Sequence, residues 1–297
     1  REIMEEKTMR DYIIATDSDS ELLYAYAQEM QIPVFAMPVS LDGKDYDFDL
    51  DIEGKFPTFF EDLKNGSKVS TSAKSPWEIK QWFLQLLESG KDILYISFSN
   101  QLSVHFSNCQ QAVAEIKEEK PEARIVLVDS LTISAGQSLL IRRALKLQQD
   151  GKSLDEVAAY LEENKLRSCV LFTVDDLNYL KRGGRLSGGA AFVGTVLDLK
   201  PIVHVTDDGK LVPTEKCKGR KKAWRRMAEL AADRFDYGDP DNEIIILYAE
   251  LEDGKAFEEI LKQTCGDVKT MLWKVGPVIG GHAGPGVVGM SFFGSPR

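Results

Sequence analysis

Six residues, ILYISF at positions 93–98, restrict the fold of this chain more than any other stretch. The run is apolar, rich in Ile, Tyr and Phe, and too short for a helix. It reads as a strand buried on both faces of a parallel sheet. From its end onward Ser97, Ser99, Asn100, Gln101 and Ser103 crowd hydroxyls and amides into seven positions, and a helical pattern runs from Val104 to about Lys120. Strand, polar loop and helix together bring loop amides and a helix N-terminus beyond the carboxyl end of a strand, where anions bind. For one such loop the ordinary alternative, Ser103 as the helix N-cap, is the stronger. A second loop of the same kind, Ser70-Thr71-Ser72, changes that balance. The helix after it starts with a Ser75/Glu78 capping box and Pro76 at its first position, which accounts for Ser75 alone. Three consecutive hydroxyls remain without a structural task, in a place that suits a carboxylate or phosphate.

The rest of the pattern repeats strand and helix. Strands are expected at 11–16, 32–41 and 124–129, and helices at 55–65, 76–88, 133–149 and 154–165. Ser20 is expected to cap a helix running to about Met30. The acidic stretch 46–53 reads as a solvated loop, since a calcium loop needs a tighter ligand register and a closing Glu. This order predicts an α/β fold: a parallel sheet with helices on both faces over residues 1–167. The alternation ends at 164–168, which sets a domain boundary there. Residues 168–297 read as a smaller mixed α/β domain, with strands at 169–173, 201–205, 211–215, 244–250, 268–275 and 287–293. Asp207-Asp208-Gly209 is a hairpin signal. A small apolar helix is expected over 188–199, and the basic stretch 216–226 opens another, to about Phe235. Residues 276–286 read as a glycine- and proline-rich turn with His282 in its middle, equally a structural imidazole or a functional one.

A net charge of -10 argues against nucleic acid as the main partner, because such binding rests on neutralising phosphates. Cys109, Cys169, Cys217 and Cys265 are far apart and form no C-x-x-C pair, so they read as reduced thiols of a cytoplasmic protein, with neither a disulfide framework nor a metal site. Residues 1–10 are charged and expected to fray. The uncharged stretch 275–294 is long enough to span a bilayer, yet Pro277, Pro285 and seven glycines rule out a lipid-exposed helix. No phosphate-binding G-x-x-x-x-G-K-[ST] loop and no kinase signature is present, and no cofactor is expected.

Taken in order, several stretches resemble the DegV family over nearly the whole chain. They are Asp17-Ser18-Asp19-Ser20, Ser70-Thr71-Ser72, the loop 97–103, Asp129-Ser130, residues 179–187 (YLKRGGRLS), Lys200-Pro201-Ile202, residues 219–223 (GRKKA) and residues 276–286. The resemblance implies two α/β domains with one long-chain fatty acid between them, as in the fatty-acid-binding subunit of bacterial fatty acid kinase. Such a chain is a carrier without catalysis of its own. It presents the carboxylate to a separate ATP-dependent catalytic subunit, which makes the acyl phosphate. The resemblance gives the carboxylate to Thr71, Ser72, Ser99 and Asn100. It gives the kinase partner and the phosphate to Arg185, Lys218, Arg220 and His282, the three cations having no partner evident in the chain. Two departures stand out: Asn100 replaces a second serine, and Val104-His105 replaces a Gly-Thr pair, which is expected to bring a bulky His105 to the head group. Phe98, Phe106, Leu131, Ile133, Phe192, Val196, Ile279 and Phe292 are candidates for the acyl tunnel, with plain core as the alternative for each.

Two other functions were weighed. A serine esterase built on Ser70, Ser72 or Ser99 with His282 lacks a G-x-S-x-G elbow and an acid for the histidine. The basic stretch 216–226 would suit a regulatory contact with nucleic acid or a transient contact with a membrane surface. A solvated helix face, or a docking surface for an acidic partner, is the simpler reading in so acidic a chain.

Overall fold

The computed structural model describes residues 11–188 and 198–297. The expected fraying of 1–10, residues 189–197 of the expected helix over 188–199, and with them Phe192 and Val196, lie outside the described residues, while Leu199 is strand and not helix. Strand β6 (Asp92–Ser97) is buried at every position, as its apolar run requires. With β1 (Tyr12–Asp17), β2 (Val34–Phe35) and β7 (Ile125–Asp129) it forms an all-parallel sheet in the order β2-β1-β6-β7. Successive side chains leave a strand on opposite faces, and the two faces find different partners. Tyr95 meets Trp82 and Phe83 of α4 (Pro76–Leu87) and His105 of α5 (His105–Glu119). Thr16, opposite Ile96, accepts a hydrogen bond from Gln137 Nε2 of α6 (Ser134–Gln149) at 3.0 Å. Helices therefore cover both faces. The Ser75/Glu78 capping box is formed as the sequence predicts.

From Ser168 onward the strands build a six-stranded mixed sheet. It comprises β8 (Ser168–Thr173), β9 (Leu199–Val205), β10 (Leu211–Lys218), β11 (Ile244–Tyr248), β12 (Thr270–Lys274) and β13 (Val288–Phe293), in the order β10-β9-β8-β13-β11-β12. The hairpin at 207–209 joins β9 to β10. Here too the strands alternate. Val170, Phe172, Ile245 and Leu247 face the core shared with the first sheet. Cys169, Leu171, Ile244 and Ile246 face a second core with Trp224 and Met227 of α9 (Arg220–Arg234) and Phe257 of α10 (Leu251–Cys265). Helix α6 lies between the two sheets. Gly136 makes its approach to β8 feasible: a Cβ there would sit 2.6 Å from Val170 Cγ2. Ser168 Oγ donates to the Gly136 carbonyl at 2.8 Å.

Several local expectations are corrected. Residues 32–41 are two strands, because β3 (Met37–Leu41) turns out of the parallel sheet and pairs antiparallel with β4 (Lys44–Phe48) and β5 (Val69–Thr71). The first three residues of the acidic stretch 46–53 are thus edge strand: Tyr46 and Phe48 pack on Phe56 while Asp47 faces solvent. The helix expected over 55–65 is split at Phe56-Pro57 into α2 (Ile52–Lys55) and α3 (Phe59–Lys64). Ser20 caps nothing. Ser18–Ser20 is itself a 3-10 turn capped by Asp17, and α1 (Tyr24–Glu29) starts beyond it. Residues 216–218 belong to β10, and the basic helix begins only at Arg220. The expected turn over 276–286 is mostly a helix, α11 (Pro277–Ala283), with Pro277 at its first position. Its glycines serve close packing: a Cβ on Gly280 would lie 2.7 Å from the Phe60 ring, and one on Gly281 would lie 2.9 Å from Val69. Among the described residues no helix is long and apolar enough to cross a membrane.

Candidate functional site

Segments following β1, β5 and β6 meet α11, and the chain beyond α8 (Asn178–Arg182), around a polar mouth of about 310 Å³. Asp19, Thr71, Ser72, Asn100, Arg185 and His282 are among its walls. It lies beyond the carboxyl ends of the parallel strands, the usual place for ligands in open α/β sheets. Thr71 is fixed by its β5 register opposite Val39. His282 stands in the last turn of α11, with Nε2 2.8 Å from Thr71 Oγ1. The ring comes so close to Gly183 that any Cβ there would overlap Nδ1. Arg185 follows the Gly183-Gly184 turn, in which Gly184 has φ 71. Its Nε donates to the Leu102 carbonyl at 3.1 Å and its Nη1 to the Gly183 carbonyl.

Behind the mouth lies an apolar cavity. Phe98 and Ile133 face it from the first sheet's loops, Phe172, Leu211 and Leu247 from the second sheet, and Ile279 from α11. Arg185 and His282 line this cavity as well as the mouth. A third, polar cleft of about 670 Å³ carries Lys68, Ser70 and Arg182 and also reaches Thr71, Arg185 and His282. Arg185 and His282 therefore border both a narrow apolar cavity of about 50 Å³ and two polar clefts, and Thr71 lines both clefts.

The electrostatics follow from burial. Desolvation, with the nearby charge of Arg185, lowers His282 to about 4, so the imidazole is neutral at pH 7. Asp19 is pushed well above the usual carboxyl range by burial and by the charges of Asp17 and Glu21, with Arg185 opposing. Glu21, also buried, is pushed up to about 8; hydrogen bonds from Ser134 and the Gly276 N–H pull the other way.

Of the tunnel candidates, Phe98, Ile133 and Ile279 line the apolar cavity. Phe292 does not, because strand alternation turns it into the α9/α10 core while its neighbour Phe293 faces the other way. Phe106 and Leu131 are not among the cavity's walls either. Among the head-group candidates, Thr71, Ser72 and Asn100 reach the mouth, Ser72 and Asn100 at its exposed rim. Ser99 does not. It is wholly buried, and its hydroxyl donates to the Gly209 carbonyl at 2.8 Å, which ties the β9–β10 hairpin to the loop after β6.

His105 also lies away from the mouth, buried 2.7 Å from the Tyr95 hydroxyl and stacked on Phe35. Arg220 has partners in its own chain, contrary to expectation. Its Nε is 3.2 Å from Asp175, its Nη1 is 2.8 Å from Asp253, and its Nη2 donates to the Gly286 carbonyl. Lys218 is exposed at the end of β10 and lines none of these three cavities. A Ser–His pair is not formed with Ser99, and the hydroxyl beside His282 is that of Thr71. Sequence reasoning missed Asp19, Glu21, Lys68 and Arg182 in this neighbourhood. Asp19 and Arg182 lay within stretches that carried the family resemblance, Asp17–Ser20 and 179–187, while Glu21 and Lys68 carried no signal.

A family model described as an uncharacterised protein of the DegV family matches residues 12–295. A DegV domain-containing protein of Clostridium perfringens is 32% identical over 290 residues, which cover 97% of this chain and 99% of the relative. Among solved structures, a DegV family protein from Thermus thermophilus, described by its fatty acid binding, superposes with a TM-score of 0.83. It has 28% identity and covers 96% of this chain and 100% of its own. DegV from Bacillus subtilis, described as a fatty acid binding protein, gives a TM-score of 0.79 at 28% identity with the same coverage.

Proposed function

This chain belongs to the DegV family, and from that premise we propose that it holds one long-chain fatty acid and presents the carboxyl to a separate ATP-dependent kinase. In this reading 1–167 and 168–297 are its two domains, and the ligand lies between them. The observation that carries it is the apolar cavity bounded by Phe98, Ile133, Phe172 and Leu247, which opens at Arg185 and His282 onto a polar mouth. Burying an acyl chain yields about 0.8 kcal/mol per methylene, so affinity comes mainly from the apolar walls, which must part to admit the chain because the cavity as it stands measures about 50 Å³. The carboxylate costs several kcal/mol to desolvate and needs donors set out for it. Thr71 supplies one. In the tautomer with the proton on Nε2, neutral His282 donates to Thr71 Oγ1 and leaves the threonine proton for a ligand oxygen. Arg185, held by two carbonyls, supplies positive charge without leaving its place. A neutral hydroxyl leaves the second carboxylate oxygen open to phosphorylation, whereas a bidentate arginine would cover both. The two solved relatives described as binding fatty acids support the class of ligand.

The chain alone is then a carrier, and the phosphoryl donor belongs to its partner. The test is paired. Delipidated protein is titrated with labelled palmitate, then incubated with ATP and a fatty acid kinase catalytic subunit while acyl phosphate is followed. Uptake of palmitate with acyl phosphate formed only when both components are present is the expected result. No uptake of palmitate defeats the carrier reading, and uptake with no acyl phosphate defeats the kinase partnership alone.

A further inference from the structure

One polar group of the mouth has no part in this scheme. Asp19 sits in the 3-10 turn at the carboxyl end of β1, is 3% exposed, and lines the same cavity as Thr71, Arg185 and His282. Its backbone N–H is held by Asp17 Oδ1 at 3.1 Å, which fixes the turn. Its own Oδ1 is buried and has no hydrogen-bond partner. Native structures seldom leave a buried carboxyl oxygen unpaired, and at a cavity wall the missing partner points to a ligand. The charged groups that face it are few. Asp17 precedes it on β1, Glu21 follows it, and Arg185 comes from the segment after α8. His282 on α11 is neutral, and β5 and the loop after β6 bring hydroxyls and amides to the same mouth.

Two carboxylates close together in one mouth repel, and such pairs settle by sharing a proton. Resting on the fatty acid reading above, we propose that Asp19 is a specificity-determining residue of the head-group site. It stands as the neutral acid and donates its O–H to the ligand carboxylate, so that the two carboxyl groups together hold one proton and one negative charge. The proton stays on the Asp19–ligand pair, and the negative charge lies on the ligand beside Arg185. Burial and the two acidic neighbours favour the protonated form of Asp19 before any ligand arrives. A neutral acid kept in an apolar site as a hydrogen-bond donor is an established device. The site then takes a monoanionic acid only while Asp19 keeps its proton. Above that point affinity for the anion falls about tenfold per pH unit.

The experiment is calorimetric binding of dodecanoate between about pH 6 and pH 10, on the wild type, Asp19→Asn and Glu21→Gln. Dodecanol serves as the neutral probe of the apolar cavity. The wild type and Glu21→Gln are expected to lose dodecanoate affinity along an alkaline limb. Asp19→Asn keeps a donor that does not titrate and should bind dodecanoate with a flat profile. A limb unchanged in Asp19→Asn, a limb lost in Glu21→Gln, or no limb in the wild type overturns the proposal. Should Asp19→Asn fail to fold, the wild type decides alone: titrations in two buffers of different ionisation enthalpy must show one proton taken up per dodecanoate bound on the alkaline limb, and none taken up overturns it. Failure to bind either probe at any pH counts instead against the fatty acid reading.

Discussion

Glu21 is a buried carboxyl that joins three parts of the molecule, and Glu21→Gln isolates its contribution. It occupies a left-handed conformation, φ 53, just after β1. Its Oε1 accepts the Gly276 N–H at 2.5 Å, at the start of α11, and its Oε2 accepts the Ser134 hydroxyl at the start of α6. Burial pushes the carboxyl from 4.5 up to about 8. A pKa raised on folding means that the unfolded chain releases this proton first. The stabilisation is complete below the unfolded value of 4.5 and is lost as pH rises through about 8. Between about pH 6 and pH 9 the linkage relation makes that loss about 2–3 kcal/mol. Glutamine mimics the protonated acid: its carbonyl accepts from Gly276 and its amide donates to Ser134 Oγ, at a cost within about 1 kcal/mol near pH 6. Near pH 9 the variant should therefore gain about 2–3 kcal/mol on the wild type relative to their difference near pH 6. Urea unfolding followed by tryptophan fluorescence reads this directly, with a relative change in midpoint of roughly 1 M for a slope of about 3 kcal/mol/M. Other titrations are common to both proteins and cancel in the comparison, except that of Asp19, which the Glu21 charge helps to raise. If the difference in midpoint between the two proteins is the same at both pH values, the carboxyl is not held protonated and the reasoning fails.

Gly183→Ala should drive the His282 ring from its place and break the Thr71 hydrogen bond, weakening palmitate binding by about 1–2 kcal/mol; unchanged affinity in calorimetry would show that the pair does not shape the mouth. Thr71→Ala should cost about 1–3 kcal/mol of palmitate affinity while Thr71→Ser retains most of it, and equal losses in the two variants would point to packing instead. His105 and His282 are both lowered to about 4 by burial, so both rings should stay neutral until well below pH 6 in a proton–nitrogen NMR titration. The sign makes them a source of acid lability, with stability complete above the ordinary histidine value of 6.5 and lost as pH falls through about 4; either ring charging near 6.5 refutes it. Arg220→Ala should leave palmitate affinity within a few-fold, because Arg220 is engaged by Asp175 and Asp253, yet strongly reduce acyl phosphate formation with the kinase subunit. A loss of binding in proportion to turnover would instead make Arg220 part of the ligand pocket.

What the sequence determined by itself was everything that depends on neighbours along the chain. The apolar run of β6 needed burial on both faces, and the Ser75/Glu78 box with Pro76 needed a helix start. Asp207-Asp208-Gly209 marked a hairpin, and the repeated strand and helix pattern left a doubly covered parallel sheet as its natural solution. Thr71 and Asn100 were legible as candidates because hydroxyls and amides crowd into loops with no local task, and both line the mouth. The tertiary structure decided whatever depends on residues far apart in the chain. The glycine stretch before β13 is a helix, and its Gly280 and Gly281 are explained by Phe60 and Val69, some two hundred residues earlier, which leave room there only for hydrogen. Ser99 looked like a ligand and is instead a strut, because a hairpin 110 residues away brings a carbonyl to its hydroxyl. Asp19 stood in the sequence only as part of the Asp17–Ser20 stretch, and Glu21 carried no signal. Their burial, and with it their protonation, exists only once α6, α11 and the segment after α8 have closed over the end of β1, since a carboxyl's charge state follows from the water it has lost and the charges that replace it.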